Sequence, residues 1–158
     1  MYGPRQALSN PYTGVCAIFS GRLLNDESPL IFEDGEQTRD FVHVSDIVQA
    51  NLLALETDRA DYQALNIGTG SPISISEISN MLASGLNKEI PPQVTGKYRE
   101  GDIRHCVADI SRARTLLGYE PKVKLADGIP ELLEWVREQQ AANTTQATTE
   151  LEQHQLVR

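Results

Sequence analysis

The sequence predicts a mixed α/β lobe of short strands and about five helices, and three observations carry that expectation. Apolar residues recur at helical spacing in several separate segments. Short β-branched or aromatic runs stand between them, and Gly, Pro, Asn and Asp punctuate the joins. No G-x-G-x-x-G follows a predicted strand and no regular series of βαβ units appears, so a self-sufficient doubly wound domain is not expected.

The first dozen residues read as irregular, because Pro4, Gly3 and the Ser9-Asn10-Pro11 turn disfavour a regular element. Between Thr13 and Asn25 the residues Val15, Ile18, Phe19 and Leu23 repeat at helical spacing, and Leu24 widens the stripe into an amphipathic helix. Leu30-Ile31-Phe32 follows Pro29 as a short strand, closed by the turn Glu33-Asp34-Gly35. Phe41, Val42 and Val44 form a second strand ending at Ser45. Ser45 is then the expected N-cap, with Asp46 in the first turn, of a helix carrying Ile47, Val48, Ala50, Asn51, Leu52 and Leu55.

Ala64-Leu65-Asn66-Ile67 reads as a buried strand running into the glycine-rich turn Gly68-Thr69-Gly70. The next helix has Ser74 or Ser76 as cap and Glu77 in its first turn, with Ile78, Met81, Leu82 and Leu86 on one face. Pro91-Pro92 stops it, and Gln93 to Lys97 suits an extended segment. A short helix from Asp109-Ile110-Ser111 through Leu117 closes at Gly118, where a left-handed cap belongs. The last helix, Asp127 to Gln140, buries Ile129, Leu132, Leu133 and Val136. Residues 141–158 are rich in Asn, Thr and Gln with too few apolar groups to pack, so a lobe over 1–140 and a disordered polar tail over 141–158 are expected.

At 158 residues, 40% of them apolar and 23% charged, the chain is long enough for one self-supporting core. A net charge of −8 argues against a general nucleic-acid binder, which needs a basic face to neutralise phosphates. Cys16 and Cys106 are the only cysteines, with no C-x-x-C and no His/Cys cluster, which suits a reducing cytoplasmic compartment and no metal site. No apolar run approaches the roughly 20 residues that span a bilayer, and Met1-Tyr2-Gly3-Pro4-Arg5 lacks the apolar core of a signal peptide.

Against this acidic background, Lys97, Arg99, Arg104, Arg112 and Arg114 outnumber Glu100, Asp102 and Asp109 in one stretch. Guanidinium forks suit bidentate recognition of phosphate oxygens. Arg112 and Arg114 read as a solvated helix face, whereas Arg99 in the turn-like Arg99-Glu100-Gly101-Asp102 string is a candidate phosphate ligand. By residue type alone, Arg39-Asp40 is a structural ion pair, Phe32 a core aromatic and Asp102 a turn residue.

Taken in order, Tyr2-Gly3-Pro4-Arg5-Gln6, Glu36-Gln37-Thr38-Arg39-Asp40-Phe41-Val42-His43-Val44-Ser45-Asp46, Asn66-Ile67-Gly68-Thr69-Gly70 and Arg99-Glu100-Gly101-Asp102 resemble the C-terminal part of the extended short-chain dehydrogenase/reductase family. Its relevant branch is the NAD-dependent nucleotide-sugar epimerases and dehydratases. The resemblance covers about residues 2 to 138, and the R-D-F-V-H-V-x-D string is its most specific part.

The resemblance implies that this lobe holds a nucleoside diphosphate, while a Rossmann lobe holds NAD and the catalytic residues. It implies that Arg39 and Arg99 grip the pyrophosphate, that Asp102 lies beside the ribose hydroxyls, and that Phe32 lies against the uracil or thymine ring. His43 is expected to be packed rather than catalytic. The phosphate-binding glycine turn, the catalytic Ser/Thr and the Tyr-x-x-x-Lys pair belong upstream of Tyr2, which is itself followed four positions on by Gln6. The expected function is therefore the nucleotide-sugar-binding half of a UDP-glucose 4-epimerase-like enzyme, working through a 4-keto intermediate and not catalytic alone. NAD would sit in the other lobe, for which a separate Rossmann-lobe polypeptide is a candidate partner. The alternatives are a dTDP-sugar 4-epimerase or 4,6-dehydratase lobe, or a non-catalytic nucleoside-diphosphate-binding module.

Overall fold

The structure is a computed structural model and describes residues 1–7 and 14–139. Its elements run α1 (Val15–Leu24), β1 (Leu30–Ile31), β2 (Thr38–Asp40), α2 (Val44–Leu55), β3 (Pro72–Ser74), α3 (Ile75–Gly85), β4 (Gln93–Val94), β5 (His105–Cys106), α4 (Ser111–Leu117) and α5 (Leu125–Glu138). The expected mixture of five helices and short strands is what forms.

The helical stripes explain the packing. Cys16, Ala17, Phe19 and Leu23 of α1, Ile75, Ile78 and Leu82 of α3, and Ile129, Leu132, Leu133 and Val136 of α5 share one core with Tyr2, Ile31 and Phe41. Each such aliphatic side chain contributes about 1.5–3 kcal/mol when fully buried. A second, smaller core gathers Ala50, Ile110, Ala113, Leu117 and Tyr119 from α2, α4 and the residues beside them.

Two small sheets frame the larger core. In the first, β2 is central, antiparallel to β3 (Arg39 opposite Ile73) and parallel to β5 (Arg39 opposite Cys106). In the second, β1 and β4 run parallel, with Ile31 opposite Val94.

Several boundaries differ from expectation, each for a physical reason. Phe41 to Val44 is not a strand. Ladder pairing ends at Asp40, and Phe41 and Val42 are buried by packing instead, although Tyr2 and His43 form a single parallel bridge. The N-cap of α2 is His43 rather than Ser45, its Nδ1 accepting from the Ser45 N–H at 3.3 Å. Residues 64–67 form no ladder, because Leu65 and Ile67 are apolar for the sake of the smaller core.

The strands β3 and β5 were not expected from the sequence, being too short to show period-two alternation. Ser74, not Ser76, caps α3 in a reciprocal box with Glu77. Gly118 closes α4 in the left-handed region as expected (φ 66°). The final helix begins at Leu125 rather than Asp127. The Ser9-Asn10-Pro11 turn, Gln140 and the expected tail over 141–158 lie outside the described residues. No described helix is long and apolar enough to cross a membrane.

Candidate functional site

Residues in and beside β2, namely Gln37, Arg39, Asp40 and Phe41, line one cleft. The cleft measures about 470 Å³, with Val15, Ile18 and Phe19 of α1 on one side, Leu30 and Phe32 on another, and Arg99 and Asp102 at its rim. Phe32, Arg39, Arg99 and Asp102, separated by up to 70 positions in sequence, all line it. The two guanidinium groups therefore share a cavity rather than facing apart.

Arg39 is held on three sides. Its Nη1 donates to the carbonyls of Thr38 (2.8 Å) and Arg104 (3.0 Å), and its Nη2 donates to Asp102 Oδ1 at 2.8 Å. A guanidinium carries five N–H donors, so the Nε–H and one Nη2–H remain for a ligand. Asp102 Oδ1 also accepts from the Ile103 N–H at 3.0 Å, which turns its carboxylate toward Arg39. Arg99 is exposed and has no ion-pair partner among the described residues. The rim thus presents one anchored cation and one free to reach.

The reading of Arg39-Asp40 as a neighbour ion pair fails, since Arg39 pairs with Asp102. Asp40 does different work. Its carboxylate accepts from the Thr69 N–H (2.9 Å) and hydroxyl (2.5 Å), the Gly70 N–H (2.9 Å) and the Ala108 N–H (3.3 Å). It ties the glycine-rich turn and the segment after β5 to the strand that carries Arg39. The turn must come close for this: a Cβ on Gly68 would lie 2.4 Å from Asp40 Oδ2.

The other acid of the string, Asp46, is almost fully buried and accepts from the Lys122 and Val123 N–H groups at 2.9 and 3.1 Å. His43 is buried against the Tyr2 ring with centroids 5.2 Å apart. These contacts give Arg39, Asp40, His43 and Asp46 of the R-D-F-V-H-V-x-D string a structural account.

The remaining basic residues of the 97–114 stretch divide clearly. Arg104 bridges Glu33 (2.9 Å) and Asp34 (2.7 Å), and its hydrogen bond holds the Asp34 carboxyl below the usual carboxylate range. Arg112 and Arg114 lie exposed on α4, as expected, bonded to Gln63 and Glu120. Sequence reasoning missed Arg22, a cleft residue fixed by the Ser28 carbonyl (2.6 Å) and Glu27 (3.3 Å). An isolated arginine in the last turn of a helix gives no signal of that position. It also missed Cys16 as part of the cleft wall, where burial pushes the thiol up to about 12.

Known proteins resemble this chain over most of its length. Residues 1–68 match the family model of the NAD dependent epimerase/dehydratase family. The dTDP-L-rhamnose 4-epimerase of Burkholderia thailandensis is 36% identical over 140 residues, covering 88% of this chain and 38% of that protein. The UDP-glucose 4-epimerase of Thermotoga maritima, solved with UDP-glucose, superposes with a TM-score of 0.78 at 40% identity, covering 87% of this chain and 43% of that one. The UDP-glucuronic acid 4-epimerase of Bacillus cereus, solved with UDP-glucuronic acid and NAD, gives 0.76 at 33% identity, covering 87% and 42%. The chain spans well under half the length of these relatives.

The family's cofactor finds no cradle among the described residues. Gly68-Thr69-Gly70 is the glycine-rich turn of the chain, and its Thr69 and Gly70 N–H groups already point at the Asp40 carboxylate, which would repel a pyrophosphate. The described residues form five helices and short strands around a cleft, without a doubly wound sheet among them. The chain belongs to the NAD dependent epimerase/dehydratase family of extended short-chain dehydrogenases/reductases, as their C-terminal lobe.

Proposed function

We propose that this chain is the nucleotide-sugar-binding half of a UDP-glucose 4-epimerase-like enzyme and does not turn over substrate by itself. The observation that carries this reading is the single cleft in which Arg39, Arg99, Asp102 and Phe32 meet. A nucleoside diphosphate offers matching chemistry in the same order. Its phosphate charges suit the two guanidiniums, its ribose diol can donate to Asp102, and its base needs an apolar wall such as Phe32.

Because Arg39 is already fixed by two carbonyls and a carboxylate, it loses little freedom on binding, and its remaining N–H groups serve one phosphate. Arg99 closes on the other.

Oxidation and reduction at the sugar belong, in this reading, to a companion Rossmann lobe. The five tyrosines here are followed four positions on by Gln6, Cys16, Asn66, Asp102 and Val123, so none forms the Tyr-x-x-x-Lys pair. Val48, Leu52 and Leu55, at i, i+4 and i+7 on α2, are 51%, 53% and 84% exposed, an apolar stripe suited to such a lobe. A dTDP sugar is the second reading, favoured by the likeness to the Burkholderia dTDP-L-rhamnose 4-epimerase.

Calorimetric titration with UDP and dTDP tests the assignment. Arg39→Ala and Arg99→Ala each remove a charge-assisted contact and should weaken binding by about 1.5–3 kcal/mol, Arg99 at the lower end because it is exposed. Binding that is unchanged in both variants refutes the reading. The chain alone is expected neither to retain NAD nor to epimerise UDP-galactose.

A further inference from the structure

A second pocket, of about 460 Å³, lies between the loop that follows α2 and helix α4. Arg59 and Gln63 line it from the loop, and Ser111, Arg112, Thr115 and Leu116 line it from α4. None of these residues lines the cleft that holds Arg39. The chain has 22 acidic residues against 14 basic ones, yet no carboxylate lines this pocket. Asp58 and Asp61 stand near Arg59 in the loop but are not part of the wall, and Asp109 is taken up by the Ser111 N–H at 3.0 Å. Neither Arg59 nor Arg112 has an ion-pair partner among the described residues. Arg114, two residues further along α4, shows the contrast, since Glu120 neutralises it at 3.0 Å.

What this pocket presents is a set of donors. Arg59 Nε donates to the Thr57 hydroxyl at 3.3 Å, which leaves both of its Nη groups without a partner among the described residues. Arg112 Nη2 donates to Gln63 Oε1 at 2.6 Å. That bond fixes the amide, so Gln63 Nε2 with its two N–H groups is the end left over. The Thr115 hydroxyl is committed to the Ser111 carbonyl at 2.9 Å, and Leu116 supplies an apolar edge. Two guanidinium forks beside an amide suit an oxyanion with several acceptor oxygens, and their two charges match phosphate better than a carboxylate. The volume also leaves room for what the phosphate is attached to. We propose that this pocket is a second anion site, which takes the phosphate group of a small phosphorylated ligand. The inference is independent of the nucleotide-sugar reading of the cleft.

The test is proton–nitrogen NMR on the full chain, titrated with inorganic phosphate, glycerol 3-phosphate and acetate at an ionic strength held constant with chloride. Both phosphate probes should give saturable shifts at the amides of Arg59, Gln63, Ser111 and Arg112, and acetate should bind there at least about fivefold more weakly. Arg59→Gln and Arg112→Gln should each weaken phosphate at these amides by about fivefold, the upper end for an exposed charge pair. Arg114→Gln removes the same charge from the same helix outside the pocket, and should leave the affinity within about twofold of the parent. All three arginines are exposed, so the variants are expected to fold, which the dispersion of their spectra checks. In the parent alone, shifts that rise without saturating, that acetate reproduces at equal concentration, or that appear only around the cleft overturn the inference. So do Arg59→Gln and Arg112→Gln proteins that bind phosphate as Arg114→Gln does.

Discussion

Asp40→Ala is the most incisive single perturbation of this lobe. The carboxylate accepts from three backbone N–H groups and the Thr69 hydroxyl, and alanine removes every acceptor at once. Hydrogen bonds to a charged group are worth about 1.5–3 kcal/mol each when no water can replace the partner. That full sum does not apply here. Gly70 is exposed and can be rehydrated, Thr69 is half-buried, and the Ala108 contact is long at 3.3 Å. Counting the Thr69 pair and discounting the rest gives a loss of about 3 kcal/mol. For a lobe of this size that corresponds to a fall in Tm of about 10 °C. The assay is thermal unfolding by circular dichroism, with Asp61→Ala, an exposed carboxylate, as the control. An Asp40→Ala protein that melts within about 2 °C of the parent refutes the assignment of Asp40 as the tie between the turn and β2.

Other expectations follow from the same contacts. Tyr119→Phe removes a buried hydroxyl that donates to the Gly68 carbonyl at 2.9 Å, and should cost about 1 kcal/mol in denaturant unfolding. One thiol per chain, exposed Cys106, should react with an alkylating reagent at pH 8 in the native state, and two after unfolding, because Cys16 is buried with its thiol pushed up to about 12. Asp34 titrates below its unfolded value owing to the Arg104 hydrogen bond, so its stabilising contribution is complete above about pH 4 and is lost as the pH falls further. The stability of Arg104→Ala, followed by melts from pH 6 to pH 3, should therefore fall less steeply on the acid side than that of the parent.

The helices were legible in the sequence because each carries a stripe long enough to show its period, as with Ile78, Met81 and Leu82 on α3 or Ile129, Leu132 and Leu133 on α5. β1 and β4 fell within the expected Leu30-Ile31-Phe32 strand and the expected extended segment, but β3 and β5 were not legible, since segments of two or three residues have no period to read and β3 begins on a proline. Phe41 and Val42 misled for the opposite reason. Their apolarity serves burial, not a ladder.

All four site residues expected from the resemblance reach one cleft, but two of the contacts that organise it were invisible. Residue type cannot say that Asp102, 63 positions away, is the partner of Arg39. Nor can it say that Asp40 faces a turn rather than its arginine neighbour. Arg22 and Gln37 were missed because each is a single polar residue whose position depends on how helix and strand are brought together.

The two apolar cores meet across a polar seam. Asp46 reaches from α2 to the segment before α5, Tyr119 reaches from the smaller core to the glycine turn, and Asp40 reaches from that turn to β2. Apolar surfaces slide against one another at little cost, whereas these bonds hold only over a narrow range of angles. The smaller half of the lobe is thus indexed to the larger like a gear to its shaft, and Asp40 is the tooth adjacent to the cleft. Changes in α4 that tilt that half without unpacking it will be felt at Arg39, so the geometry offered to a ligand is set partly by residues that never touch one.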